Sequence, residues 1–290
     1  MPARSQRSGL RRSGPSAAEL DRKFLVAVAR AFAGAILFSL PMLMTMEMWS
    51  IGFYIDPWRL VLLILIQIPL LTALSHISGF KPTEGWLDDL LDAFVAIAVG
   101  AVASTVILFV FSVIDFDTSL DEAIGKIAVQ TFPASIGAML AHDQLSGLKD
   151  GDDEVELGRR DSYPGEMLLM VTGALFLGLN VAPTEEMILL SYMMEPWREF
   201  GLVLLSLVAM HAFVYALDFR GSHLRHPDVT FWSVFLRFTV VGYALVLVIC
   251  SYLLWTFGRT DGAGLNEMLS AAIVLGFPCA IGAAAARLIL

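Results

Sequence analysis

Thr45-Met46-Glu47-Met48, followed by Asp56-Pro57-Trp58-Arg59, is met again 139 residues later as Thr184-Glu185-Glu186-Met187, followed by Glu195-Pro196-Trp197-Arg198. The match is ungapped and extends back to Gly34-Ala35 against Gly173-Ala174 and Leu40 against Leu179. A second block matches at an offset of 145 residues. There Leu120-Asp121-Glu122 meets Leu265-Asn266-Glu267, Phe132-Pro133 meets Phe277-Pro278, and Ile136-Gly137-Ala138 meets Ile281-Gly282-Ala283. Leucine and alanine agree by chance in any apolar chain. Thr-x-Glu-Met, Pro-Trp-Arg and Phe-Pro-x-x-Ile-Gly-Ala in the same order do not. The chain is internally duplicated.

Composition says what kind of unit was duplicated. Apolar residues make up 57% of the 290 and charged residues 16%, against about 45–50% and about 25% in soluble domains. With a mean hydropathy of +0.71, the solvent is lipid. Eight apolar segments stand at roughly 24–50, 59–77, 90–114, 120–141, 166–192, 199–217, 231–256 and 266–289. Each is long enough to cross a hydrocarbon core of about 30 Å at about 1.5 Å per residue. In that solvent a span is helical, because its backbone groups must be satisfied internally. The expected fold is an all-α polytopic membrane protein whose eight transmembrane helices form two parallel four-helix repeats, residues 24–141 and 165–290. A basic tail, 1–23, rich in Ser, Arg and Gly, is expected to be disordered. The acidic stretch 142–164 is expected to link the halves on the cytoplasmic side. Within it, Asp150-Gly151-Asp152-Asp153-Glu154 lacks the spaced ligands of a calcium loop. An even number of spans per half gives both halves one orientation, related by a pseudo-two-fold axis along the membrane normal.

Orientation follows from the basic residues of the short loops. With the N-terminus inside, the inner segments hold Arg4, Arg7, Arg11, Arg12, Arg22, Lys23, Lys81, Lys149, Arg159, Arg160, Arg220 and Arg225, and the outer loops only Arg59, Arg198 and Arg259. Both termini are therefore expected in the cytoplasm. The outer loops are acidic, with Asp56, Asp115, Asp117, Asp121, Glu195 and Asp261.

The candidate ion-binding residues come in repeated pairs. Glu47 and Glu186 fall late in the first span of each half, in the outer third of the bilayer by residue count. An ionisable side chain inside a span is costly, and its default reading is functional. The other reading is an interfacial anchor beside Trp49 and Tyr192. Pro41 and Pro183, just before these glutamates, remove a backbone donor and free a carbonyl one turn earlier. Thr45 and Thr184 either add hydroxyl ligands or bond back to their own helix. Glu185 has no counterpart, since Met46 stands in its place. Glu122 and Glu267 open the fourth span of each half, as ligands or as capping acids; Ser119-x-x-Glu122 reads as a capping box, and Lys126 is placed to pair with Glu122. If both pairs are ligands, four glutamates converge on one outer vestibule. Asp92 and Arg237 hold equivalent positions and are expected to form a structural ion pair, with Arg30 as the other partner available to Asp92. Pro133 and Pro278 are expected to kink the fourth helix of each half.

Other chemistries are excluded or weaker. A net charge of −9 speaks against nucleic acid. Cys250 and Cys279 offer neither a disulfide framework nor a zinc spacing. No cofactor is expected, and the metal, if any, is unknown. His142, His223 and His226 fall in inner loops, whereas His76 and His211 fall in spans two and six. Ala182-Pro183-Thr184-Glu185-Glu186 looks like the start of the Glu-Glu-x-x-x-Arg motif of intramembrane CAAX-type proteases, but Leu190 stands where the arginine belongs, and Leu207-x-x-x-His211 replaces Phe-x-x-x-His.

The run Asn180-Val181-Ala182-Pro183-Thr184-Glu185-Glu186, with Phe219-Arg220-Gly221, Thr239-Val240-Val241-Gly242-Tyr243 and Gly276-Phe277-Pro278, resembles a family of bacterial integral membrane proteins of unknown function. The resemblance runs from about residue 25 to the end and implies a bacterial inner-membrane location. It brings no substrate or catalytic residue. The partners expected are the lipid bilayer and a small cation (a proton, sodium or calcium), with the oligomeric state open. The alternatives to a cation transporter or channel are a non-transporting scaffold or sensor and, last, the protease.

Site-directed cysteine labelling tests the parallel repeat. Residues beside Trp58 and Trp197 are expected to label from one side of the membrane, and both termini from the other. Labelling of Trp58 and Trp197 neighbours from opposite sides would make the repeat inverted.

Overall fold

Each copy of the Thr-x-Glu-Met motif begins a new helix instead of finishing the one before it. The computed structural model describes residues 17–78, 85–146, 162–221, 232 and 235–289. The first half comprises α1 (Ala17–Leu43), the short α2 (Met46–Tyr54), α3 (Pro57–Ser78), α4 (Trp86–Val110) and α5 (Leu120–Ser146). The second comprises α6 (Tyr163–Val181), the short α7 (Glu185–Met193), α8 (Pro196–Gly221), α9 (Val241–Thr256) and α10 (Leu265–Ile289), with a π-helical turn, Phe235–Val240, leading into α9. The succession of long, short, long, long and long helices thus occurs twice, and no strand is present among the described residues.

Several sequence expectations shift. Segments 24–50 and 166–192 are each a long helix plus a short one, broken at Thr45 and at 182–184. Helix α1 begins at Ala17, inside the stretch expected to be disordered, and α5 runs on to Ser146. The rest of the tail, the linker acids 150–154, and Lys81, His223, Arg225 and His226 lie outside the described residues. Among the described residues, seven helical stretches are long and apolar enough to cross a membrane. The expected sixth span, 199–217, is not among them, and its side chains beyond 213 lie outside the described residues.

Helices α5 and α10 are the central elements. Helix α5 packs against α1, α2, α3 and α4, and α10 against α6, α7, α8 and α9. The span of α5 is 72% buried and that of α10 61%, against 33% for α3. Small residues make this possible, because without side chains two helix backbones approach closely and gain dispersion contact. At the α1–α5 crossing a Cβ on Gly34 would collide with Ala141 and the Gly137 carbonyl. At the α6–α10 crossing a Cβ on Gly173 would collide with the Gly282 carbonyl. These are the same repeat positions in both halves. The prolines Pro133 and Pro278 lie inside α5 and α10, which continue through them, and Pro41 lies inside α1. Pro183 lies in the break itself.

Gly34→Ala and Gly173→Ala are expected to destabilise the folded protein by about 1–3 kcal/mol each through backbone overpacking. Gly201→Ala, on α8 with open space around it, is expected to stabilise by about 0.5–1 kcal/mol. Thermal unfolding in detergent separates the two outcomes.

Candidate functional site

The break between α1 and α2 exposes carbonyls that lipid cannot satisfy, and side chains meet them one by one. The Thr45 hydroxyl donates to Pro41 O (2.6 Å), Gln130 Nε2 of α5 to Met42 O (3.1 Å) and Trp49 Nε1 to Leu43 O (2.8 Å). Helix α2 then lies tightly on α5: a Cβ on Gly52 would fall 2.5 Å from Lys126 Cα, and one on Gly125 would collide with Gly52 O. Glu47, half-buried, is the second residue of α2.

The second half solves the same problem differently. Gln130 corresponds to Leu275, Lys126 to Ala271, and the glycines 52 and 125 to Ser191 and Ser270. Ser270 Oγ donates to Ser191 O (2.9 Å), a contact through a side chain where the first half has backbone on backbone. The Thr184 hydroxyl donates to Val181 O (2.8 Å), and Arg259 Nη2 donates to Pro183 O from the loop before α10. A cavity of about 380 Å³ lies here, and Thr184, Glu186, Val274, Phe277 and Pro278 are among its walls. Pro278 has no N–H to give the Val274 carbonyl, which therefore lacks its helical donor, although the cavity wall itself is almost wholly apolar. Pro278 is near the middle of α10 (Leu265–Ile289). Glu186 shares the cavity wall with Pro278 and is itself exposed on the protein surface. Among the described residues the carboxylates of Glu47, Glu185 and Glu186 have no hydrogen-bond or ion-pair partner, and Glu185 and Glu186 are exposed on the protein surface.

The other candidates are placed apart. Glu122 pairs with Lys126 (2.5 Å), and its N–H donates to Ser119 Oγ (3.4 Å). Glu267 Oε2 accepts from Gly264 N (2.9 Å). Both carboxylates thus have the local partners of first-turn acids. Eleven residues of helix separate Glu267 from Pro278, about 16 Å along the axis at about 1.5 Å per residue, so the glutamates of this half do not converge on one vestibule. No ion pair joins Asp92 to Arg237. Asp92 accepts from Ser75 Oγ (3.2 Å), whereas Arg237 is exposed and its carbonyl accepts from Tyr163 Oη (3.2 Å). Asp92 instead belongs with Ser75, His76 and the buried Asp89, whose Oδ2 lies 3.0 Å from His76 Nδ1. His211 Nδ1 lies 3.0 Å from Thr239 Oγ1 on the π turn. No group of three or more His, Cys, Asp or Glu is placed to hold a metal among the described residues.

Sequence reasoning missed three features. Gln130 is one, and its signal was present as a break in the repeat, a polar residue facing Leu275. The ion pair of Glu166 with Arg287, whose guanidinium also stacks on Phe238 at 4.5 Å, is another. The third joins the halves. Arg59 at the start of α3 binds Asp261 through two hydrogen bonds of 2.6 and 2.9 Å and lies 5.0 Å over the Trp255 ring. Gly258 and Gly262, at φ +73° and +76°, shape the loop that presents Asp261. Arg59 and Asp261 had both been read as outer-loop charges, but nothing in their spacing pairs residues of different halves.

The chain belongs to the family described as "Putative integral membrane protein (DUF2391)", which matches residues 27–290. No curated protein and no solved structure matches it.

The hydrogen bonds from Arg59 hold the Asp261 carboxyl below the usual carboxylate range. A lowered folded value means that the stabilisation is complete above the unfolded pKa of about 3.9 and is lost as pH falls through the folded value. Asp261→Asn is expected to lower Tm by the same small amount at about pH 6 and about pH 8, and by progressively less as pH falls below the unfolded value. An undiminished difference in acid would show that the charge of Asp261 is not its source.

Proposed function

From that family membership as premise, we propose that the chain is a small-cation transporter or channel, for protons, sodium or calcium, whose ion site is the Glu186 cavity. The supporting observation is that Glu186 and Thr184 line one cavity with Pro278 of α10, whose missing N–H leaves the Val274 carbonyl without its helical donor. A carboxylate at the centre of a span costs at least about 2.5–3.5 kcal/mol. Its place in the first turn of α7 returns about 0.3–1 kcal/mol through the helix dipole. Water or a cation beside the carboxylate would offset such a cost. A dehydrated cation is held by oxygen ligands of this kind. The wider setting proposed is eight membrane passages as two parallel four-helix repeats, in a bacterial inner membrane with both termini cytoplasmic. Helix α8 is the eighth passage in this reading, because it stands where α3 stands and opens on the same Pro-Trp-Arg.

The second reading is a membrane scaffold or sensor in which the acids anchor and cap helices. It is favoured by Thr45 and Thr184, whose hydroxyls are spent on their own helices, and by the capped Glu122 and Glu267.

Cation flux into proteoliposomes, with protons, sodium and calcium in turn, separates the two. Glu186→Gln is expected to reduce flux at least about tenfold at unchanged folded yield, the equivalent of 1.4 kcal/mol of lost ion stabilisation. Glu47→Gln is expected to have a smaller effect, because Gln130 and Lys126 already occupy the corresponding region, and Glu185→Gln the smallest. Undiminished flux in folded Glu186→Gln would remove the carboxylate from the mechanism. Absence of flux in the wild type for all three cations would leave the scaffold.

A further inference from the structure

A second cavity, of about 500 Å³, lies on the seam between the halves, walled by α1 and α5 on one side and α6 and α10 on the other. Its walls are repeat-related. Leu37 corresponds to Phe176 and Leu140 to Ala285, and the Gly34–Gly137 and Gly173–Gly282 crossings face each other across it. Phe38 and Phe176 meet over it with ring centroids 4.2 Å apart.

Three constraints decide what fills it. The cavity is a groove open on one side, so whatever surrounds the protein there can enter it. A buried water needs two to four polar partners. Here the one polar side chain in the wall is Thr172, whose hydroxyl already donates to Leu168 O (2.9 Å). The occupant is therefore apolar. At the rim, Leu37 is 66% exposed within the apolar span Leu25–Leu43, so the mouth opens at hydrocarbon depth. The volume and the apolar lining suit a specific ligand pocket of about 300–1,000 Å³.

We propose that this cavity is a binding site for one acyl chain of a bilayer phospholipid, held between the two halves in the leaflet where α10 ends. The wall residues Gly282 to Ala286 fall in the last turns of α10, which places the chain in that leaflet. Leu140 of the first half faces the groove where the corresponding Ala285 stops at Cβ, although Phe176 is larger than its counterpart Leu37. The inference does not depend on the cation reading.

The test uses the full-length protein in mild detergent with a doxyl-labelled phosphatidylethanolamine, read by native mass spectrometry and by the motionally restricted fraction in spin-label spectra. Wild-type protein is expected to retain one phospholipid per chain after lipids at its general surface have exchanged. Ala285→Phe, which fills the cavity, is expected to lower that occupancy roughly tenfold, a change of about 1.4 kcal/mol in binding, with helicity and monodispersity unchanged. Should Ala285→Phe not fold, Ala285→Leu, which installs the residue of position 140, is expected to give a smaller loss in the same direction. Leu37→Ala is expected to speed exchange of the retained lipid by widening the mouth. Retention by a folded Ala285 variant equal to wild type, or no retained phospholipid in the wild type, would overturn the site.

Discussion

In hydrocarbon every backbone carbonyl needs a partner from within the chain, and the two broken helices are where this chain must find extra ones. The breaks after Leu43 and Val181 release the last carbonyls of α1 and α6 at the same point in each repeat. An aqueous loop would hand such groups to solvent. Here they are met by the backbone N–H groups of Thr45 and Thr184 together with side chains, and the side chains differ between the halves.

The two halves diverge at that point more than anywhere else described. In the first, Gln130 reaches from α5 to Met42 O and Trp49 closes on Leu43 O, so the region beside α2 is taken up by polar side chains. Glycines 52 and 125 then bring α2 onto α5 backbone to backbone. In the second, Leu275 cannot reach a carbonyl, and the donor comes from the loop instead, as Arg259 on Pro183 O. With the donor supplied from outside, and serines in place of the two glycines, the region between α7 and α10 stays open as the Glu186 cavity. One duplicated frame therefore holds a closed and an open version of the same corner.

Much of the frame was legible in the sequence, because its causes are local or periodic. The all-α membrane class follows from composition. The backbone crossings at Gly34–Gly137 and Gly173–Gly282 fall within the matched blocks. The capping of Glu122 was legible for the same reason, since Ser119 and Lys126 are three and four residues away. What stayed hidden was set by distance through the fold. Apolar continuity across residues 24–50 and 166–192 concealed the helix breaks, since a short helix after a break has the same composition as a long one. The pairing of Asp92 was misassigned because equivalent repeat positions are not neighbouring positions; Ser75, on the adjoining helix, is nearer than any residue of the other half. Gln130 was passed over because one polar residue in an apolar span carries no periodic signal, and only its mismatch with Leu275 marks it.

The seam between the halves changes character along its length, and the reason is dielectric. At the end where α3 and α10 begin, the contact is Arg59 with Asp261 and Trp255, a bidentate charge pair on an aromatic face. Such a pair is directional, and it tolerates water because the guanidinium and the carboxylate are both partly solvated there. Further in, a charge pair would have to be desolvated on both sides, and the contact becomes aromatic, Phe38 against Phe176. Toward the end of α10 the walls are glycine, alanine and leucine, with no group able to orient one half against the other. Register between the halves is therefore set at the charged end. Apolar filling supplies attraction at the other end but little geometry. The Glu186 cavity, by contrast, is walled by α7, α8 and α10 of one half and does not straddle the seam. Its shape is governed by the Ser270–Ser191 bond and by Arg259 on Pro183, and so by packing within the second half rather than by how the two halves sit on each other.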